Sequence, residues 1–203
     1  MLDVKKLTVG ELSTNCYLLY NTNEAVIIDP ADEASFIENI ITDLSLTPKA
    51  VILTHGHFDH LLAALELSLA YKIPIFVNKK DKFLIERSDK TAKYFTKQKD
   101  SLRPIETLDL TGKSKIALGK DKLSIIEIPG HTPGSIAVYI KKQNIVFTGD
   151  LIFKDGACGE TTHAYSDRND FGQSLKKILS LPQKTLVFPG HGEEFMIQSF
   201  RNA

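Results

Sequence analysis

The sequence predicts a mixed α/β fold in a single domain spanning residues 1–203. Short β-branched runs alternate with amphipathic segments along the chain, Pro, Gly and Asn turn signals separate them, and 203 residues suffice for one large core. CYLLY (16–20) and EAVIID (24–29) flank a polar NTN turn and read as a hairpin. After Asp32, the stretch SFIENIITDL places Phe36, Ile37, Ile40, Ile41 and Leu44 on one helical face, and Pro48 marks its end before a strand at 49–54. Residues 58–71 read as a second helix, 75–77 as a short strand and 80–87 as a third helix with a charged exposed face. The polar, lysine-rich stretch from Ser88 to Pro104 reads as a surface connection with room for one extra helical turn. Strands are expected at 122–128, 136–140 and 144–148, the last two forming a hairpin across KKQ; a helix near 171–180 and a strand at 185–188 follow.

Twenty-five Lys plus Arg balance twenty-five Asp plus Glu, so no global basic field favours nucleic acid or an acidic membrane. The opening residues have no apolar run like a signal-peptide core, and no stretch approaches the roughly 20 apolar residues that cross a bilayer, so a cytoplasmic location is expected. Cys16 and Cys158 lie far apart and belong to no CxxC pair, which argues against a disulfide scaffold or a cysteine zinc site.

The densest chemistry lies in THGHFDH (54–60), where His55, His57, Asp59 and His60 crowd the junction of a strand and a helix. Imidazole and carboxylate suit Zn²⁺, Fe or Mn, and a strand end followed by a turn lets one short segment serve two adjacent ions. PGHTPGS (129–135) presents His131 on a tight turn after a strand, PGHG (189–192) does the same for His191, and Asp150 ends the strand IVFTGD. Ligand sites collect at the carboxyl ends of strands in such sheets. Five of the six histidines thus fall under one metal-binding hypothesis.

The ordered series HxHxDH, GHTPGS, GD and PGHG resembles that of the metallo-β-lactamase superfamily, over essentially the whole chain. TNCYLL, IIDP and FPGHG are most similar to its glyoxalase II branch. The resemblance implies a four-layer αββα sandwich with two divalent metal ions at one edge, zinc being expected and iron or manganese being alternatives. It implies that His55, His57 and His131 hold the first ion, that Asp59, His60 and His191 hold the second, and that Asp150 bridges them. Asp29, in IIDP, matches a position that supports the ligands from behind; a turn former at a strand end is its other reading.

Two such ions share a water and lower its pKa, so hydrolysis needs no side-chain nucleophile, and the chain carries neither a GxSxG elbow nor a GxxxxGK[ST] phosphate loop. Thioester or ester hydrolysis of a small molecule follows, with Asp59 and Asp150 as its catalytic carboxylates. Relatives that cleave glutathione thioesters usually carry a helical C-terminal extension, whereas this chain stops about a dozen residues after His191, so a short glyoxalase II-like thioesterase is expected. A true β-lactamase is disfavoured, because the position of Asp150 is usually Cys or Ser there. The alternatives are a mononuclear iron persulfide dioxygenase, a hydrolase of lactones or other esters, and a non-catalytic scaffold.

Residues 153–170 replace a shorter GRxD-type passage and bring in Glu160, His163, Tyr165 and Asp167 before Arg168. His163 or Tyr165 is expected to reach the substrate, and Arg168 to bind a substrate carboxylate or pair with a nearby acid. The other reading is a solvated loop.

Overall fold

The computed structural model describes residues 1–97 and 102–200 and holds two mixed sheets. The first runs β1-β2-β3-β4-β5-β6, from β1 (Asp3–Val9), β2 (Thr14–Tyr20), β3 (Glu24–Ile28), β4 (Thr47–Ile52), β5 (Ile75–Val77) and β6 (Leu108–Asp109). The second runs β12-β11-β10-β9-β8-β7, from β7 (Ile116–Leu118), β8 (Asp121–Glu127), β9 (Ile136–Ile140), β10 (Ile145–Gly149), β11 (Leu186–Pro189) and β12 (Phe195–Met196). The helices are α1 (Ala34–Asp43), α2 (Ala64–Tyr71), α3 (Lys82–Phe95), α4 (Arg168–Leu179) and α5 (Ile197–Phe200). Among the described residues no helix is long and apolar enough to cross a membrane.

Side-chain alternation explains why the strands are apolar runs rather than half-polar ones. In β2, Cys16 and Leu18 face one cluster with Ile37 and Ile41 of α1 and Leu67 of α2, while Tyr17 and Leu19 face another with Val138 of β9 and Phe147 of β10. In β9, Ala137 and Tyr139 point the opposite way, toward Phe171 and Ile178 of α4. Three apolar clusters therefore separate four layers, helix, sheet, sheet and helix, as the resemblance implied. Tyr17, Phe147 and Phe188 close the middle cluster with ring centroids 5.0 to 5.4 Å apart.

The β2–β3 and β9–β10 hairpins match expectation. The helix expected over 58–71 is instead a one-turn 3-10 helix, Phe58–His60, followed by a turn and then α2. The amides of Leu62 and Ala63 donate to the carbonyls of Ala31 and Pro30, and this competition from the turn after β3 breaks the helical ladder. Conversely, α3 runs on to Phe95, through a stretch read as a surface connection; residues 98–101 of that stretch lie outside the described residues. Its buried face continues through Ser88 and Ala92, small residues that hydropathy does not mark. In α1 the buried face is Ala34, Ile37 and Ile41, whereas Phe36 and Leu44 are exposed. Cys16 and Cys158 are both free.

Candidate metal centre

All the candidate ligands stand on turns at one rim of the sandwich, after β4 (His55, His57, Asp59, His60), β8 (His131), β10 (Asp150) and β11 (His191). They form two sets. His57 Nδ1 lies 3.1 Å from His55 Nε2 and 3.0 Å from His131 Nε2. Asp59 Oδ2 lies 3.4 Å from His191 Nε2 and 3.6 Å from His60 Nε2. Asp150 stands between the sets, its Oδ1 3.5 Å from His60 Nε2 and its Oδ2 3.6 Å from His191 Nε2 and 3.8 Å from His131 Nε2. Within each of three groups, His55/His57/His131, His55/His60/Asp150 and Asp59/His60/His191, one donor atom per residue lies within 4.8 Å of the others.

The far side of four of the five rings, His55, His57, His60 and His131, is tied down, which selects the tautomer that aims a lone pair inward. His131 Nδ1 donates to the Glu160 carbonyl at 2.7 Å, and His60 Nδ1 donates to Asp29 Oδ2 at 3.0 Å. Asp29 also accepts from the Thr54 amide and hydroxyl, both at 2.7 Å, and Thr54 Oγ1 lies 3.1 Å from His55 Nδ1. Asp29 turns the chain after β3 with φ +49° and hydrogen-bonds His60 Nδ1. His57 Nε2 meets the Tyr165 hydroxyl at 2.9 Å.

These residues fit divalent cations on a direct observation. His60 Nε2 and Asp150 Oδ1 are buried, face one another and have no hydrogen-bond partner, an arrangement that costs free energy without a cation between them. The electrostatics agree. Burial, reinforced by the neighbouring imidazoles, lowers the pKa of His55 well below the usual range, and burial with His131 takes His57 down to about 3, so both stay neutral donors. Burial also opposes charge on His60, but Asp150, Asp59 and Asp29 outweigh it and raise its pKa, the mark of a pocket that favours positive charge.

Of the loop residues singled out in the sequence, Tyr165 stands beside His57, and His163 stacks on Tyr165 with centroids 5.0 Å apart and lies 3.7 Å from Glu160 Oε2. Arg168 is exposed in the first turn of α4, which Asp167 caps through the amides of Asn169 and Asp170, and no ion pair among the described residues engages it. Sequence reasoning missed the clamp on the PGHG turn. Asn15 Nδ2 donates to the carbonyls of Pro189 (3.1 Å) and Gly192 (2.9 Å), Tyr17 Oη to Pro189 O (2.6 Å), and Thr14 Oγ1 to Asp59 Oδ2 (3.1 Å). The polar pair Thr14–Asn15 heading an otherwise apolar strand is the only signal for it. Asp81, buried between two ligand turns, was missed as well.

Gly190 is required by close approach, since a Cβ there would lie 2.1 Å from Asp150 Oδ1 and 2.8 Å from His60 Cε1. Gly190→Ala is therefore expected to displace Asp150, lowering kcat/KM about 10²-fold and reducing bound metal, as read by kinetics and elemental analysis.

The model of the metallo-β-lactamase superfamily matches residues 9–191. The hydroxyacylglutathione hydrolase GloC of Haemophilus influenzae is 32% identical over 195 residues, covering 94% of this chain and 91% of that protein. The crystal structure of the BLEG-1 B3 metallo-beta-lactamase superposes with a TM-score of 0.87 at 32% identity, over 99% of this chain and 97% of that one. The crystal structure of TTHA1623 in a di-iron-bound form gives a TM-score of 0.86 at 31% identity, over 96% of each chain. The chain belongs to the metallo-β-lactamase superfamily of metal-dependent hydrolases.

Proposed function

We propose that the chain is a glyoxalase II-like thioesterase acting on a small-molecule thioester with two divalent cations. His55, His57 and His131 hold one cation, Asp59, His60 and His191 hold the other, and Asp150 serves both. The observation that carries the reading is the presence of two donor sets facing a common carboxylate, with His60 Nε2 and Asp150 Oδ1 unpartnered between them. The likeness to GloC supports the thioester class. Zinc is the expected metal, and the likeness to a di-iron protein keeps iron as the alternative. When bound, such a pair supplies a nucleophilic water of lowered pKa and polarises a carbonyl.

The protein's own groups orient the reaction. Because Nδ1 of His57 faces the donor set, its Nε2 carries the proton and donates to the Tyr165 oxygen, which frees the phenolic proton for an acceptor entering the cleft. Burial pushes the Tyr165 pKa up to about 12, so the phenol keeps that proton at neutral pH. On the other side of the centre a cavity of about 500 Å³, lined by Phe153, Lys154, Asp155, His191, Gly192 and Glu193, offers room for one end of the substrate. A thiolate leaves without a strong acid, which suits a centre whose carboxylates Asp59 and Asp150 are held ionised, against burial, by His60 and His191.

Metal-loaded protein is expected to hydrolyse a 2-hydroxyacyl glutathione thioester faster than lactones, phosphodiesters or a β-lactam. Oxygen uptake on glutathione persulfide with one iron per chain would instead establish the dioxygenase. Tyr165→Phe should lower kcat/KM roughly tenfold, and His163→Ala and Arg168→Ala by more than about twofold. Changes within about twofold for all three would leave the 153–170 loop a structural connection.

A further inference from the structure

Asp81 closes the one-turn 3-10 helix Lys79–Asp81 and precedes α3, yet its side chain is fully buried and turned away from the helix it heads. Its carboxylate reaches two separate turns. Oδ2 accepts from the Gly56 amide at 2.9 Å and from Thr132 Oγ1 at 2.6 Å, and Oδ1 accepts from the Gly134 amide at 2.6 Å. Gly56 lies between His55 and His57, and Thr132 follows His131. A Cβ on Gly134 would lie 2.6 Å from Asp81 Cγ, so the second turn is drawn as close to the carboxylate as backbone allows. Thr132 is fixed in turn by Ser135, whose Oγ accepts from its amide at 3.2 Å and lies 2.8 Å from its hydroxyl.

No bond among these touches Asp59, His60 or His191, whose backing comes from Thr14, Asp29 and the clamp of Asn15 on the turn after β11. Asp29 backs both sets, His60 directly and His55 through Thr54, whereas the bonds of Asp81 reach only the turns of the three-histidine set. We infer that Asp81 is the positioning residue of the three-histidine set: its buried carboxylate fixes the separation of the turn carrying His55 and His57 from the turn carrying His131, and thereby tunes cation affinity at that set alone. This rests on the metal assignment proposed above.

The test measures zinc affinity by competition with a chromophoric chelator, in two single-set backgrounds. His60→Ala leaves the three-histidine set, and His57→Ala leaves the other. Asp81→Asn keeps the shape of the side chain but swaps an acceptor for a donor, so one bond to the turns is lost. Added to His60→Ala, it is expected to weaken zinc binding roughly 10- to 100-fold; added to His57→Ala, it should change affinity less than about twofold. Equal weakening in both backgrounds, or none in the first, would overturn the inference and leave Asp81 a general staple of the fold. Should Asp81→Asn fail to fold, Thr132→Val removes one of the three bonds and carries the same comparison, with a several-fold loss expected in the first background alone. Protein with the natural ligands that binds fewer than two equivalents would defeat the metal assignment itself, a result distinct from these.

Discussion

Asp150→Ala is expected to lower kcat/KM by on the order of 10³-fold or more, about 4 kcal/mol of transition-state stabilisation, while the protein keeps its fold. The carboxylate stands within 4 Å of His60 and His191 in one donor set and of His131 in the other. Its removal buries no apolar surface less and leaves no hydrogen-bond partner of Oδ1 behind, because Oδ1 has none. Thermal melting followed by circular dichroism, beside kinetics on the metal-loaded variant, reads both halves of the expectation. Retention of most activity would remove the shared-ligand role of Asp150.

A second large effect is expected in metal content. Fully loaded protein should hold two equivalents by elemental analysis, and His60→Ala should hold one. His60 is fully buried, and its Nε2 points at Asp59 and Asp150 with no other partner. Alanine removes the donor and the bond to Asp29 together, leaving Asp59 and His191 as an incomplete set. A strong chelator should abolish activity reversibly in the parent protein. An unchanged stoichiometry in His60→Ala would sink the two-ion arrangement.

The candidate metal centre was legible in the sequence because its donor residues are short-range events. Each occupies a turn after a strand, and each turn is spelled by Gly, Pro or a histidine cluster that has few other uses. The strands of the sandwich interior were legible for a similar reason, since burial on both faces writes continuous apolar runs such as CYLLY and IAVYI. Edge strands were not. In β1 polar residues fall on both faces, Lys5 beside Leu7 and Val9 and Lys6 and Thr8 beside Val4, so no clean alternation stands out. β6, β7 and β12 are only two or three residues long, below what a periodicity can register. The break after His60 was hidden because its cause, the carbonyls of Pro30 and Ala31, lies some 30 residues earlier. Asp81 was hidden for the same kind of reason: an aspartate before a helix reads as a local cap, and only the folded chain brings Gly56 and Gly134 to it.

The division of ligands between the two sheets sets a condition on synthesis. The segment after β4 supplies two residues to each donor set, and the third comes from His131 for one and His191 for the other. On the assignment proposed above, a chain extended only through β8 lacks the third ligand of each set. The first set is then complete once the turn after β8 has been made, and the second only after the turn following β11. A chain interrupted between those two turns would therefore own the three-histidine set alone and not the two-ion centre proposed above.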